Sequence, residues 1–151
     1  MMMKAKWILP FALTAIVGCA TVPLASPESD EAAQRFMPPE GKANLYVARS
    51  NSSYGGAVSF KVVVDEEVVG EIAPGTFFLV AIDPGKHSIA ATSIQNSAKA
   101  IVDAEAGRNY FYEVTATSGV LGAQASLGLV LLEPMGKLMV RQAKLARTPE
   151  E

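Results

Sequence analysis

The sequence predicts an all-β fold, an antiparallel β-sandwich of seven or eight strands with a short C-terminal helix. From Ala43 onward, short β-branched segments either alternate apolar and polar residues or are continuously apolar, as strands do. Most of these segments end in turn-forming residues of their own, such as Pro84-Gly85. Evenly spaced strands with no helical segment between them favour a sandwich over a parallel βαβ arrangement.

Seven or eight strands are expected, the eighth being residues 126–132, and two Pro-Gly pairs at 74–75 and 84–85 mark turns on either side of the fourth strand. Residues 120–125, between the last two strands, are unusually apolar for a loop. A buried edge segment is the favoured interpretation, and a mobile hairpin tip that touches lipid or a partner is the alternative. The predicted strands span residues 43–49, 57–65, 68–72, 76–82, 86–93, 98–103, 110–117 and 126–132.

Residues 134–145 have the pattern of an amphipathic helix, with Pro134 suited to its first turn. We expect this helix to pack on one end or edge of the sandwich, and a helix on a membrane surface is the alternative. The tail, residues 147–151, is expected to fray. The predicted packing face consists of Leu138, Met139, Gln142 and Leu145, with Lys137, Arg141 and Lys144 on the opposite side.

The first 18 residues are typical of a secretory signal peptide, with Lys4 and Lys6 ahead of an apolar run over residues 7–17. This run is too short to cross a bilayer as a permanent helix, which takes about 20 apolar residues. A short buried core helix is the alternative interpretation of the same residues.

The apolar run ends in Ile16-Val17-Gly18-Cys19, which resembles a bacterial lipobox. The resemblance implies cleavage between Gly18 and Cys19 and fatty acyl chains, such as palmitate, on Cys19. Because Cys19 is the only cysteine, it cannot form an internal disulfide. By similarity to Gram-negative sorting, Ala20 at the next position implies the periplasmic face of the outer membrane, ahead of the inner membrane or cell surface. Ordinary cleavage beside an unrelated cysteine is the alternative.

Residues 19–42 are rich in proline, serine and acidic side chains and are predicted to form a tether. A short helix is expected within it, with Ser26 as the N-cap, Pro27 in the first turn and an end near Phe36-Met37. Phe36 and Met37 are expected to dock on the domain, which occupies residues 43–146. A fully disordered tether is the alternative.

Composition argues against a nucleic-acid partner, because 13 basic and 15 acidic residues give a net charge of −2. The only histidine, His87, follows a turn, and the adjacent Ser88 points to the opposite face of the strand. Ser-His-Asp chemistry needs its groups on one side, so His87 is predicted to be a surface or rim residue. We predict no catalytic residue, no metal ligand and no cofactor.

Three weaker patterns have structural explanations that we favour. The acidic run Asp65-Glu66-Glu67 could ligate calcium, but a solvated turn is the simpler interpretation. Asp103 and Glu105 share a strand face, but paired carboxylates catalyse glycoside cleavage only across a cleft. Exposed tyrosines could stack on sugars, although core or rim positions are favoured for Tyr46, Tyr54 and Tyr112.

Six short motifs follow one another along the chain, at residues 43–49, 62–65, 69–72, 74–78, 84–87 and 104–112. Their order and spacing resemble those of the bacterial lipoproteins of domain-of-unknown-function family 2846. The resemblance implies a β-sandwich lipoprotein of unknown biochemical role, and it transfers no catalytic residues. The turn at Pro84-Gly85-Lys86-His87 is also similar to PEGA-type sandwich modules. Glu66 departs from the glycine common there in the family, so the first hairpin is expected to have a longer loop.

The sequence thus predicts a lipid-anchored envelope protein whose non-enzymatic β-sandwich binds or scaffolds in the periplasm. The membrane is its partner through the acyl chains on Cys19, and an envelope protein or peptidoglycan is the further partner considered. A carbohydrate- or peptidoglycan-binding module is one alternative. A hydrolase that uses His87 is a less favoured one.

Overall fold

The computed structural model describes residues 18–52 and 54–149, so the predicted leader, apart from Gly18, lies outside the described residues. The described part forms two packed sheets and two short helices, which confirms the predicted sandwich and C-terminal helix. The strands are β1 Ala43–Arg49, β2 Phe60–Val64, β3 Glu67–Ile72, β4 Thr76–Ile82, β5 Gly85–Thr92, β6 Ser97–Ala104, β7 Asn109–Gly119, β8 Gly122–Leu129 and β9 Lys144–Leu145, and the helices are α1 Pro27–Ala33 and α2 Glu133–Arg141.

One sheet has five strands in the order β8-β7-β1-β4-β9, and the other has four in the order β3-β2-β5-β6. Neighbouring strands are antiparallel, as predicted, in all but two pairs. β1 runs parallel to β7, and β4 runs parallel to β9. Both parallel pairs join strands far apart in sequence, because a parallel neighbour needs a long crossover connection.

The main core lies between the two sheets and consists of the apolar side chains that the period-two pattern places inward. Phe60 and Phe78 are its largest fully buried side chains. Its other members include Leu45, Val47, Val62, Ile72, Ile82, Ile89, Val102, Tyr112 and Val114.

The outer face of the five-stranded sheet carries a second apolar cluster, which the two helices cover. Tyr46 and Phe111 stack there with ring centroids 5.0 Å apart. Every residue of β1 is consequently buried, since one face meets the sandwich core and the other meets the helical layer. The molecule therefore has three layers. The second cluster consists of Ala33, Phe36, Tyr46, Ala48, Phe77, Phe111, Val140 and Ala143.

Helix α1 begins as the sequence predicts, because the Ser26 hydroxyl accepts a hydrogen bond of 3.2 Å from the Ser29 N–H. It ends at Ala33, three residues earlier than expected. Phe36 is buried against the helical layer, as predicted. Met37 is 76% exposed, so the prediction that it also docks is wrong.

The segment that carries α1 lies against the sandwich, where a tether was predicted. The Ala25 N–H donates to the Leu145 carbonyl at 2.9 Å, and the Arg147 N–H donates to the Pro23 carbonyl at 2.9 Å. The buried Asp30 carboxylate accepts from the Leu145 N–H at 3.0 Å. Linker-like composition is compatible with docking because these contacts use the backbone, which any residue supplies.

The C-terminal segment differs from its prediction in two ways. It divides into α2 and the strand β9, and the buried side of α2 is formed by Gly136 and Val140, while Leu138 is 48% exposed. A Cβ on Gly136 would lie 2.3 Å from Cγ of Phe111. The helix therefore approaches the sheet through its glycine, which a count of large apolar residues cannot reveal.

The favoured prediction of a buried edge segment holds for only part of residues 120–125, because residues 122–125 lie in an edge strand where Ala125 is buried, while the turn before them is exposed. β7 continues to Gly119, and the turn at Val120 and Leu121 leaves these side chains 94% and 78% exposed. β8 starts at Gly122, earlier than expected, and forms an edge of the five-stranded sheet.

The longer loop predicted after β2 is also absent. Val64 pairs with Glu67, so the turn has two residues, and Asp65 and Glu66 have φ angles of 48° and 69°. Two positive φ values are the geometry of a type I′ turn, which glycine fits at lower energy than glutamate.

We predict that Glu66→Gly raises the free energy of unfolding by about 1 kcal/mol, because glycine relieves the cost of a left-handed conformation. Glu67→Gly, one residue later in β3, is the matched control. It should lower the free energy of unfolding, since a glycine within a strand costs backbone entropy. Urea denaturation of the three proteins measures both changes. Equal destabilisation by the two substitutions would contradict the turn.

Candidate functional site

Cys19 lies at the surface, at the end of the sandwich where β1 finishes. Both Gly18 and Cys19 are exposed, and the thiol is free. The Ala20 N–H donates to the Gly56 carbonyl at 2.8 Å, which attaches the chain directly after Cys19 to the loop between β1 and β2. The residue predicted to carry acyl chains is therefore accessible and positioned next to the folded body.

Arg49 holds that loop in place. Its guanidinium donates to the Val58 carbonyl at 2.7 Å and to the Gly55 carbonyl at 2.8 Å, and it lies 4.5 Å from the centroid of the Phe60 ring. The residue is only 3% exposed. Burial lowers the pKa of Arg49, but a guanidinium starts so far above neutral pH that the side chain stays charged.

His87 lies at the opposite end, where it connects two turns. Its Nδ1 meets the Asp65 carboxylate in the β2–β3 turn, and its Nε2 lies 2.7 Å from the Asp83 carbonyl oxygen in the β4–β5 turn. Asp65 also accepts a 2.8 Å hydrogen bond from the Ser88 N–H. We call the contacts of His87 with Asp65 and Asp83 the histidine staple.

Both acceptors in the histidine staple favour the doubly protonated imidazolium. The hydrogen bond to Asp65 raises the pKa of His87 above its ordinary value of 6.5, and the Asp83 carbonyl adds to the rise. The same bond lowers the pKa of Asp65 below 3.8. Both ring nitrogens of His87 are engaged in these contacts, so neither is directed at another side chain from which it could take a proton.

An open groove of about 510 Å³ lies beside the histidine staple, between β3 and β4. Its lining combines apolar and charged side chains, and two of the acidic groups on it, Asp65 and Asp83, are already paired. Asp65 binds His87, and the Asp83 carboxylate binds Lys42 at 2.8 Å. The apolar lining includes Val64, Val68, Val69, Leu79, Val80 and Ile82.

The other candidate residues lie apart from one another. Tyr46 and Tyr112 are buried and only Tyr54, at 50%, is well exposed among the three tyrosines. Burial raises the pKa of Tyr46 to about 12, and its hydroxyl donates to the Ala33 carbonyl at 2.7 Å. Glu105 pairs with Arg108 at 3.4 Å.

Within residues 18–52 and 54–149, no three His, Cys, Asp or Glu side chains come close enough together to hold a metal ion. The described helices are also too short, or not apolar enough, for any of them to cross a membrane.

Sequence reasoning found Cys19 and His87, but it missed Asp65 as the partner of His87. The two residues are 22 positions apart, and antiparallel pairing of β2 with β5, with Val64 opposite Ile89, brings them together. Asp65 was identified only as part of an acidic turn, since nothing local to it indicates which strand lies beside β2.

Comparison with known proteins gives two matches. Residues 39–127 match the family model described as "Protein of unknown function (DUF2846)". A Haemophilus influenzae protein described as "Uncharacterized protein" is 34% identical over 144 residues, which cover 90% of this chain and 84% of the relative. The family match includes every strand from β1 to β7 and most of β8.

We predict that the histidine staple stabilises the fold most between the ordinary pKa values of its groups, 3.8 and 6.5. Because the folded pKa of His87 is raised, this contribution is lost as pH rises through that value. The folded pKa of Asp65 is lowered, so the stabilisation is also lost as pH falls through the folded pKa of Asp65. NMR titration of the His87 ring should show the raised pKa.

Asp65→Asn should return the pKa of His87 most of the way to its ordinary value. Asp83→Asn is the control, because it keeps the backbone carbonyl of residue 83 that faces Nε2 of His87. It should therefore leave most of the rise in the pKa of His87 in place. An unchanged titration in Asp65→Asn would show that the staple does not form.

Proposed function

The chain belongs to the DUF2846 family of proteins of unknown function, and we propose that it is a lipid-anchored, non-enzymatic binding or scaffolding domain of the cell envelope. The observation that carries this proposal is the position of Cys19. It follows a lipobox-like sequence and is exposed, and the residue after it is hydrogen-bonded to the folded body.

Acyl chains on Cys19 would hold the protein at a membrane without a spanning helix. Each buried CH₂ contributes about 0.8 kcal/mol, and a single chain gives only marginal, reversible binding. The two or three chains of a bacterial lipoprotein suffice for stable attachment. Because Cys19 is exposed, chains on its sulfur can leave the protein surface and enter lipid.

Location at the periplasmic face of the outer membrane is the second part of the proposal. It rests on Ala20, which occupies the position where aspartate is associated with retention at the inner membrane. The Ala20 side chain takes no part in docking, since the contact with Gly56 uses its backbone N–H. The side chain at this position is thus available for recognition by sorting machinery.

A non-enzymatic role is supported by the engagement of His87. Its two ring nitrogens contact Asp65 and Asp83, and these contacts hold two turns together. A hydrolase would need a histidine with a free nitrogen facing a nucleophile. The neighbouring Ser88 contributes its backbone N–H to Asp65.

Binding or scaffolding is supported by the outer face of the four-stranded sheet, which no helix or strand within residues 18–52 and 54–149 covers. A shallow concavity of about 680 Å³ lies there, and its lining combines Ile101, which is 71% exposed, with Lys99 and Ser88. Such a mixed surface suits a protein partner. The carbohydrate-binding alternative has less support, because Tyr46 and Tyr112 are buried and form no platform for stacking on sugars.

Substitution of Cys19 tests the anchor. Cys19→Ser should abolish labelling by a radioactive or clickable fatty acid and move the protein from the membrane fraction to the soluble envelope fraction. The fold should be unchanged, since Cys19 is exposed, and circular dichroism of the variant verifies this. Unchanged labelling and fractionation in Cys19→Ser would overturn the proposed anchor.

A further inference from the structure

Two hairpin turns at the Cys19 end of the sandwich expose large apolar side chains. Ile94, between β5 and β6, is 91% exposed, and Val120 and Leu121, between β7 and β8, are 94% and 78% exposed. We call these three residues the apolar tip. Exposed apolar groups of this size that cluster at one place are typical of protein or membrane contact sites.

The apolar tip is held in a fixed arrangement, although its two turns belong to different sheets. The Asn96 side chain donates to the Ala125 carbonyl at 2.7 Å and accepts from the Ala125 N–H at 2.9 Å. The Gln95 side chain accepts from the Leu121 N–H at 2.9 Å. These amide contacts tie the β5–β6 turn to β8 and keep both turns side by side.

Charge is distributed unevenly between the two ends of the sandwich. The loops around the apolar tip, residues 50–59, 93–96 and 120–121, contain no Asp, Glu, Lys or Arg. The turns at the opposite end contain Asp65, Glu66, Asp83, Glu105 and Arg108. Because burying an unpaired charge in lipid is costly, only the uncharged end is suited to enter a bilayer surface.

Cys19 lies on the same end as the apolar tip. The residue after it is bonded to Gly56, and a Cβ on Gly55 would lie 2.4 Å from Cβ of Ala116 and 3.6 Å from Cβ of Ala123. Leu121 is two residues from Ala123, a distance of about 7 Å along a strand. The chain therefore leaves the folded body close to the exposed apolar turn.

A second apolar surface surrounds the start of α2, and its composition is less suited to lipid. It lies six residues or more beyond Ala123 along β8, about 20 Å from the Cys19 loop. It also borders the ion pair of Lys137 with Glu133, whose Nζ and Oε1 are 2.7 Å apart. We call it the α2 patch, and its exposed members are Leu129, Leu131, Leu132, Met135 and Leu138.

We propose that the apolar tip enters the headgroup region of the lipid surface to which Cys19 is attached. This inference rests on the proposed function, since acyl chains on Cys19 keep the tip at the membrane. Interfacial segments bury their apolar side chains about 5–10 Å deep, a depth that two adjacent turn tips can reach. The docked tip fixes the orientation of the domain, with the histidine staple pointing away from the bilayer.

Tryptophan fluorescence tests this orientation in the full chain. Every variant carries Trp7→Phe, so the introduced indole is the only tryptophan. Leu121→Trp and, on the other turn, Ile94→Trp report on the apolar tip, while Leu132→Trp reports on the α2 patch. Each protein is expressed in a bacterial host, purified from membranes and reconstituted in phosphatidylcholine vesicles with brominated acyl chains.

Brominated lipid should quench the indoles of Leu121→Trp and Ile94→Trp at least about twofold more than the indole of Leu132→Trp, since quenching requires insertion into the interface. No quenching at either tip position would overturn the proposal and leave the apolar tip to a protein partner. Stronger quenching of Leu132→Trp would overturn it in favour of docking through the α2 patch.

Failure of the anchor can be distinguished from failure of the tip. Intact mass spectrometry of the purified chain shows whether Cys19 is acylated. If it is not, the proposed function fails, and the same chain is coupled through its single thiol to a maleimide-bearing lipid. Quenching of the tip indoles in that coupled protein would still support the tip, and its absence would overturn it.

Discussion

The two-sided burial of β1 is the constraint on which the rest of the structure depends. One face of the strand lies in the sandwich core, and the other carries Tyr46 and needs a covering layer. Helices α1 and α2 supply that layer, and the Tyr46 hydroxyl bonds to the last residue of α1, Ala33. Without α1, aromatic side chains that are buried in this structure would be exposed to water, at a cost of roughly 1.5–3 kcal/mol per large side chain.

Covering β1 with α1 also determines where Cys19 lies. The chain that leads from Cys19 to α1 must run along the five-stranded sheet, and it bonds to the β1–β2 loop at one end and to β9 at the other. Arg49, the last residue of β1, fixes the same loop through the Gly55 and Val58 carbonyls. One strand therefore organises the core, the helical layer and the position of Cys19, and the segment that follows Cys19 forms one body with the domain.

The sequence was informative wherever a local pattern decides the structure. Period-two and continuous apolar patterns predicted β1 and β4 with their observed bounds, and Ser26-Pro27 predicted the start of α1. It was uninformative about contacts between distant segments. Docking of the 20–36 segment uses mainly backbone hydrogen bonds and the Asp30 carboxylate, and no local pattern indicates which distant backbone groups these will meet. The staple between His87 and Asp65 depends on the pairing of β2 with β5, which no residue pattern specifies.

Amide hydrogen exchange within the segment after Cys19 tests the central claim most directly, namely that this segment is part of the folded body. The N–H groups of Ala20 and Ala25 donate to Gly56 and Leu145. They should exchange far more slowly than in an unstructured chain, and the Ala25 amide should approach the protection of the β1 amides. Exchange at the unstructured rate over residues 20–34, with the sandwich strands still protected, would show a free tether and contradict the account.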